Sequence, residues 1–151
     1  MKKKPYQFQR VEITEYIFIS NGPKGKVTKI VQFQPLQREN LFNLGFGDLT
    51  TSGAVDDKAE SNNEDIVKVL ATIIHILQNF LAGNPHAKVF FIGSTAQRTE
   101  VYRLILARHF KELSKTYWIT ALKEDPSGIS EVDYRPDDAG PFLGFLIEKN
   151  E

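Results

Sequence analysis

The spacing of apolar residues changes along the chain, and this change constrains the fold more than any single motif does. Before Asp48, apolar side chains tend to recur at every second residue, which is the spacing of a half-buried strand. From Ile66 to Leu81 they recur with the period of a helix and fill about half of its circumference. Strands followed by alternating helices and strands predict an α+β domain.

Three strands are predicted before the first helix. Val11–Ser20 ends at the turn-forming run Asn21–Gly25, and the segment beyond the turn alternates up to Phe33, so the two segments form a hairpin. Leu41–Phe46 supplies the third strand, with its aromatic residues on one face. Ser61, Asn62 and Asn63 offer oxygens that can cap the helix that follows, with Glu64 and Asp65 in its first turn.

The second half of the chain alternates between strand and helix. Lys88–Ile92 is a short apolar run between chain breakers and predicts a central strand. A second helix follows to about Leu113, then a strand over Thr116–Lys123 and a last strand over Phe142–Glu148. A right-handed crossover is expected to join Lys88–Ile92 and Thr116–Lys123 as parallel neighbours.

These elements predict a mainly antiparallel sheet of about six strands with two helices on one face, in the order β-β-β-α-β-α-β-β. We expect a single domain over residues 1–151, with a basic tail at residues 1–5. Asp48–Glu60 and Glu124–Pro141 are polar and without period, so both are predicted to be long loops that suit partner recognition.

Composition narrows the classes of function. The chain has no cysteine, which excludes a disulfide scaffold and cysteine-ligated metal. Its 19 basic and 19 acidic residues balance, so a nucleic-acid partner is not expected. The basic N-terminus lacks the apolar region of a signal peptide, and no apolar run approaches the roughly 20 residues of a membrane span. We therefore expect a cytoplasmic protein that spans no membrane.

The start of the second helix is the most suggestive segment for binding. Gly93, Ser94 and Thr95 lead from a strand into a helix, where free backbone N–H groups can hold an anion. Arg98 falls on the apolar side of that helix and needs an opposite charge there. Asp48 is the expected internal partner, and an anionic ligand is the alternative.

Acidic residues around the first helix raise an enzymatic alternative. The early order of elements resembles a ribonuclease-H-like fold, and Asp48, Glu64 and Asp65 could surround a divalent ion in a nuclease or hydrolase. The first strand has only Glu12 and Glu15, and the central strand ends in Gly93, where this chemistry needs an acid. The histidines His75, His86 and His109 show no metal-ligand spacing, so we predict no catalytic set, metal or cofactor.

Three spaced blocks of residues resemble a family of small uncharacterised proteins found mainly in Bacteroidetes. The blocks are Asn43–Asp48, then Ser61–Asp65 with Lys68–Thr72, and then Gly93–Thr95 with Arg98, Thr99 and Tyr102. The hairpin Ser20–Gly25 matches as well, so the resemblance covers nearly the whole chain. It implies a single bacterial domain and brings no activity with it.

The polar residues of these blocks lie at predicted strand ends and helix starts, and we expect them to converge on one rim. The candidate binding residues are Asp48, Asn62, Asn63, Asp65, Lys68, Ser94, Thr95, Arg98 and Thr99. The leading hypothesis is a non-catalytic binding module for a protein partner or a small anionic ligand. A homodimer is left open, since the sequence does not show which apolar residues reach the surface.

Overall fold

The structure, a computed structural model, describes residues 4–50, 52–53, 55–56, 65–92, 95–138 and 140–150. Its helices are α1 (Ile66–Gly83) and α2 (Ala96–Leu113). Its strands are β1 (Phe8–Glu12), β2 (Glu15–Gly22), β3 (Gly25–Pro35), β4 (Leu41–Leu49), β5 (Val55–Asp56), β6 (Lys88–Phe91), β7 (Tyr117–Asp125), β8 (Gly128–Asp133) and β9 (Gly144–Lys149). The chain divides into two compact units, residues 1–33 with 45–83 and residues 34–44 with 84–151.

In the first unit, the ladder β1-β2-β3-β4 buries one face against α1. The Phe33 ring stacks on the Phe80 ring of α1 with centroids 3.9 Å apart. The Tyr16 hydroxyl donates a hydrogen bond of 2.9 Å to Asn79 at the same interface. β2 and β3 form the predicted hairpin, with Gly22 paired to Gly25 across a two-residue turn.

In the second unit, the strand order is β4-β6-β9-β7-β8. β4 and β6 run parallel through residues 41–43 and 88–90, and each of the other neighbours is antiparallel. The side chains of Val89, Phe91, Phe145 and Ile147 are buried on one face, and the Tyr102 ring of α2 lies 5.7 Å from the Phe91 ring. The apolar run of β6 predicts a central strand covered on both faces, but only this face is buried, since Phe90 on the other face is half-buried and Lys88 is exposed.

The α+β class and the mostly antiparallel pairing are confirmed, but the strand count of six and the order of elements are wrong. The main path of the sheet has eight strands, with β5 paired to β4 off that path. A turn at residues 13–14 divides the predicted first strand, because Glu12 pairs with Glu15. Both predicted loops also contain strands: β5 lies inside Asp48–Glu60, and β8 lies inside Glu124–Pro141.

The predicted parallel contact between Lys88–Ile92 and Thr116–Lys123 is also wrong. β9 lies between β6 and β7 and pairs antiparallel with both. The two strands that α2 connects are therefore not neighbours. The parallel neighbours are instead β4 and β6.

Helix α1 is long and apolar enough, by length and composition alone, to cross a membrane, although no such segment was expected from the sequence. Within this helix 56% of the apolar window is buried inside the fold. A core helix of a soluble protein passes the same criterion, so this is weak evidence for a membrane span.

Gly144 of β9 tests the packing of the second unit. A Cβ at this position would lie 2.7 Å from Ile92 Cγ1 and 2.8 Å from the Phe91 carbonyl oxygen. We expect Gly144→Ala to lower the free energy of unfolding by about 1–3 kcal/mol through overpacking. Gly45→Ala is the matched control in a strand, because nothing lies within 4 Å of its Cβ position. Equal urea midpoints for the two variants would contradict the close approach at Gly144.

Candidate functional site

The structure describes five of the nine predicted binding side chains. Asp48, Asp65 and Lys68 lie in the first unit, whereas Thr95 and Thr99 lie in the second. The remaining residues, Asn62, Asn63, Ser94 and the side chain of Arg98, lie outside the described part of the chain, as does Glu64. Convergence of all nine on one rim therefore stays a prediction.

Asp65 and Lys68 are brought together around Tyr6, and these three residues with Ser20 are called the N-terminal anchor below. Asp65 Oδ2 accepts hydrogen bonds from the Tyr6 hydroxyl at 2.6 Å and from Ser20 Oγ at 2.5 Å. Lys68 Nζ lies 4.3 Å from the centre of the Tyr6 ring, within the range of a cation–π contact. Both predicted residues thus hold the N-terminal segment on the first unit.

The environment of Tyr6 also changes its acidity. Partial burial, followed by the hydrogen bond to Asp65, raises the pKa of the Tyr6 hydroxyl. The backbone N–H of Tyr6 donates a hydrogen bond to Thr72 Oγ1 of α1 at 2.8 Å.

Asp65 lies just before α1, and its carbonyl accepts the first helical hydrogen bond, from the Val69 N–H. Asp65 is therefore the N-cap residue and not a residue of the first turn, as was predicted.

Asp48 forms an ion pair with Lys29 of β3. The Lys29 side chain is 8% exposed and that of Asp48 is 16% exposed, so the pair lies mostly away from water. Lys29 shares the inward side of β3 with Val31 and Phe33, both buried. The predicted pairing of Asp48 with Arg98 stays a prediction, because the Arg98 side chain lies outside the described part of the chain.

Thr95 lies just before α2, and Thr99 lies in its first turn. The backbone N–H and the hydroxyl of Thr99 both donate to the Thr95 carbonyl, at 3.1 and 3.3 Å. Thr99 is buried and Thr95 is exposed at the helix start. The described contacts of this pair therefore fix the first turn of α2.

No group of three or more acidic, histidine or cysteine side chains among the described residues could hold a metal ion. Asp65 is engaged by two hydroxyl donors and Asp48 by a lysine. These contacts hold both carboxylates within the first unit.

The second unit presents an open face around Trp118, a residue whose apolar strand predicts a core side chain, with an aromatic binding face as the alternative. The register places Lys88, Glu148 and Trp118 in one cross-strand row, and Phe90, Leu146, Thr120 and Asp133 in the next row. Trp118 is 52% exposed, and its indole N–H donates to Asp133 Oδ1 at 2.8 Å. The sequence contains a signal for this exposure, because the apolar residues Tyr117, Ile119 and Ala121 alternate with the positions of the Trp118 face and are buried on the other face.

A groove of about 670 Å³ lies at the end of this open face, beside Trp118. His86, Lys88 and Glu148 contribute to its walls. Lys88 Nζ is 3.2 Å from Glu148 Oε2, but this buried oxygen has no aligned hydrogen bond among the described residues. The arrangement combines an aromatic surface with a carboxylate that still has acceptor capacity.

The chain belongs to DUF6934, a family of unknown function, whose model matches residues 2–150. This confirms the family resemblance, whereas the distribution of the family among Bacteroidetes stays a prediction. No curated protein and no solved structure matches the chain.

The ion pair between Lys29 and Asp48 gives a test of burial. We expect Lys29→Met to lower the free energy of unfolding by about 3 kcal/mol, because it leaves a mostly buried carboxylate without this partner. Adding Asp48→Asn to that variant should recover part of the loss. A double-mutant cycle with urea unfolding measures both effects, and additive changes would show that the two side chains are not coupled.

Tyr6→Phe tests the N-terminal anchor. We expect a loss of about 1–2 kcal/mol, because Asp65 loses one hydroxyl donor and keeps the other. Tyr134→Phe is the matched control, since the buried Tyr134 hydroxyl has no hydrogen-bond partner in the described structure. Its removal should be neutral or stabilising, and a larger loss than for Tyr6→Phe would contradict this comparison.

The same variant should alter the alkaline limit of stability. The pKa of the Tyr6 hydroxyl is higher in the folded chain than its ordinary value of about 10. The stability that this difference provides is complete below about pH 10 and is lost as the pH rises through the folded pKa. Wild type should therefore lose stability above about pH 10, and Tyr6→Phe should lose less of it there. Tyr16, Tyr117 and Tyr134 also have raised pKa values and contribute to the decrease that remains in Tyr6→Phe.

Proposed function

We propose that this chain is a non-catalytic protein-binding module and that the open face of the second unit, centred on Trp118, contacts the partner. The observation that carries the proposal is the exposed indole fixed by its hydrogen bond to Asp133. Tryptophan is enriched among the residues that dominate binding energy at protein interfaces. An indole already held in place also loses less side-chain entropy on binding.

The residues around Trp118 have the composition of an interface. Ile92 and Ile129 are 46% and 69% exposed, and Phe90 and Leu146 are half-buried in the cross-strand row next to that of Trp118. Acidic side chains occupy the neighbouring positions of the same face. An apolar centre with charged residues around it is the usual anatomy of a protein interface.

The charge of this face favours a protein over the other partner classes. The register places Glu124, Glu131, Asp133 and Glu148 on it, with Lys88 as the one base among the described residues that these strands place there. These acids repel a phosphate backbone, which opposes a nucleic-acid partner. They also repel one another across two copies of the face, which opposes a homodimer formed through it.

Two other functions compete with this proposal. A small anionic ligand at the start of α2 would use Ser94 and Arg98, whose side chains lie outside the described part. A nuclease or hydrolase would use Asp48, Glu64 and Asp65, two of which already have partners in the first unit. The described contacts therefore favour binding through Trp118.

The experiment is a selection of displayed random peptides on the wild-type protein. Bound peptides should change the fluorescence of Trp118, which is the only tryptophan of the chain. Trp118→Ala, which lacks this fluorophore and is measured by the anisotropy of a dye-labelled peptide, should bind them about 30-fold more weakly, the factor for a hot spot of about 2 kcal/mol. Leu104→Ala is the control, because Leu104 is similarly exposed, at 47%, but lies on α2. Peptides that bind both variants equally would reject the open face as the binding surface.

A further inference from the structure

We infer that the partner supplies a basic, extended segment that adds as a new strand along the outer edge of β8. This inference rests on the proposed function, since it names how a partner would reach the surface beside Trp118. β8 is the last strand of the sheet order, so its outer side faces no other strand in the described structure. An exposed edge of this kind can accept a strand from another chain.

The register shows which backbone groups point outward. The Tyr134 N–H donates to the Ile119 carbonyl at 3.0 Å, which makes residues 119 and 134 a hydrogen-bonded pair. Such pairs alternate along antiparallel strands, so Ile129, Glu131 and Asp133 direct their N–H and C=O groups away from β7. Three donors and three acceptors therefore lie along the edge at the spacing that an incoming strand requires.

The side chains along this edge determine the charge of the segment it can accept. Glu131 and Asp133 lie on the strand itself, and Glu124 lies opposite Ile129 on the same face. On the other face, Lys123 is paired with Asp138 at 2.6 Å. The base nearest in sequence, Arg135, comes after the strand ends. Lysine or arginine side chains on an added strand would lie beside these acids, since cross-strand pairs of opposite charge stabilise a sheet.

Trp118 connects this edge to the open face. Its indole is bonded to Asp133, so a strand along β8 would pass beside the ring. Val132, at 38% exposed, lies on the opposite face of β8 and offers an apolar contact to the alternate side chains of such a strand. The surface thus suits an extended segment that alternates basic and apolar side chains, and the acids prevent β8 from pairing with the β8 of a second copy.

The test uses short synthetic peptides as probes, with Trp118 fluorescence as the readout in wild type and the anisotropy of a dye-labelled peptide as the readout in Trp118→Ala. A peptide that alternates lysine with valine should bind, whereas the same peptide with glutamate for lysine should bind at least about tenfold more weakly. N-methylation of every second residue, on the side that would face β8, should also weaken binding at least about tenfold, because it removes the backbone donors. Tight binding of the methylated peptide would overturn strand addition and leave only charge attraction.

Variants of the protein provide the second arm. Glu131→Lys should weaken the lysine peptide about tenfold, whereas Glu12→Lys, an exposed reversal on β1, should leave the affinity unchanged. Hydrogen exchange should show new protection at Ile129, Glu131 and Asp133 in the complex. Protection elsewhere without protection on β8 would contradict the inference.

The outcomes separate this inference from the proposed function. The displayed peptides could lose affinity in Trp118→Ala and yet carry no basic residues and give β8 no protection from hydrogen exchange. In that case the open face binds partners and strand addition is wrong. If the lysine peptide adds to β8 with no dependence on Trp118, the edge is a site and the centre of the proposed interface is wrong. If no peptide binds wild type in either experiment, both are rejected and the acids serve only to keep the edge unpaired.

Discussion

Each ladder of this chain can bury one of its faces under a helix, and most other features follow from that limit. α1 covers one face in the first unit and α2 covers one face in the second. An apolar side chain on the opposite face must therefore be covered by its neighbours or remain in contact with water. Trp118 remains in contact with water, because its odd-numbered neighbours on β7 occupy the covered side. Its indole N–H donates a hydrogen bond to Asp133.

The elements predicted correctly are those with a strong apolar period. The hairpin of β2 and β3 and both helices carry that signal, because each buries a continuous apolar side. β8 was missed because it is an edge strand with five of its six residues exposed, so burial did not shape its sequence. The alternation of Tyr6 and Phe8 with glutamines is a weak strand signal for β1, but no strand was predicted there. The position of β9 between β6 and β7 is set by long-range pairing that no local pattern records.

The candidate site was predicted less completely than the fold. Asp65 and Lys68 lie together, but around Tyr6, a residue that only the folded structure places there. For Asp48 the sequence contained a usable signal, since Lys29 lies on the apolar side of its strand between Val27 and Val31. A cation at such a position needs a buried partner, just as Arg98 was expected to. Trp118 shows the opposite error, because an aromatic residue in a strand was assumed to be core.

The connections between strands also bear on the order in which the chain folds. The hairpins β2-β3 and β7-β8 close over turns of two residues, at Pro23–Lys24 and Pro126–Ser127. The parallel pairing of β4 with β6 instead joins Leu41 to Lys88, so all of α1 lies in the intervening chain. Closing that long loop costs more chain entropy and slows the rate-limiting step. During synthesis, β4 must therefore leave one of its edges unsatisfied until the residues after α1 have emerged.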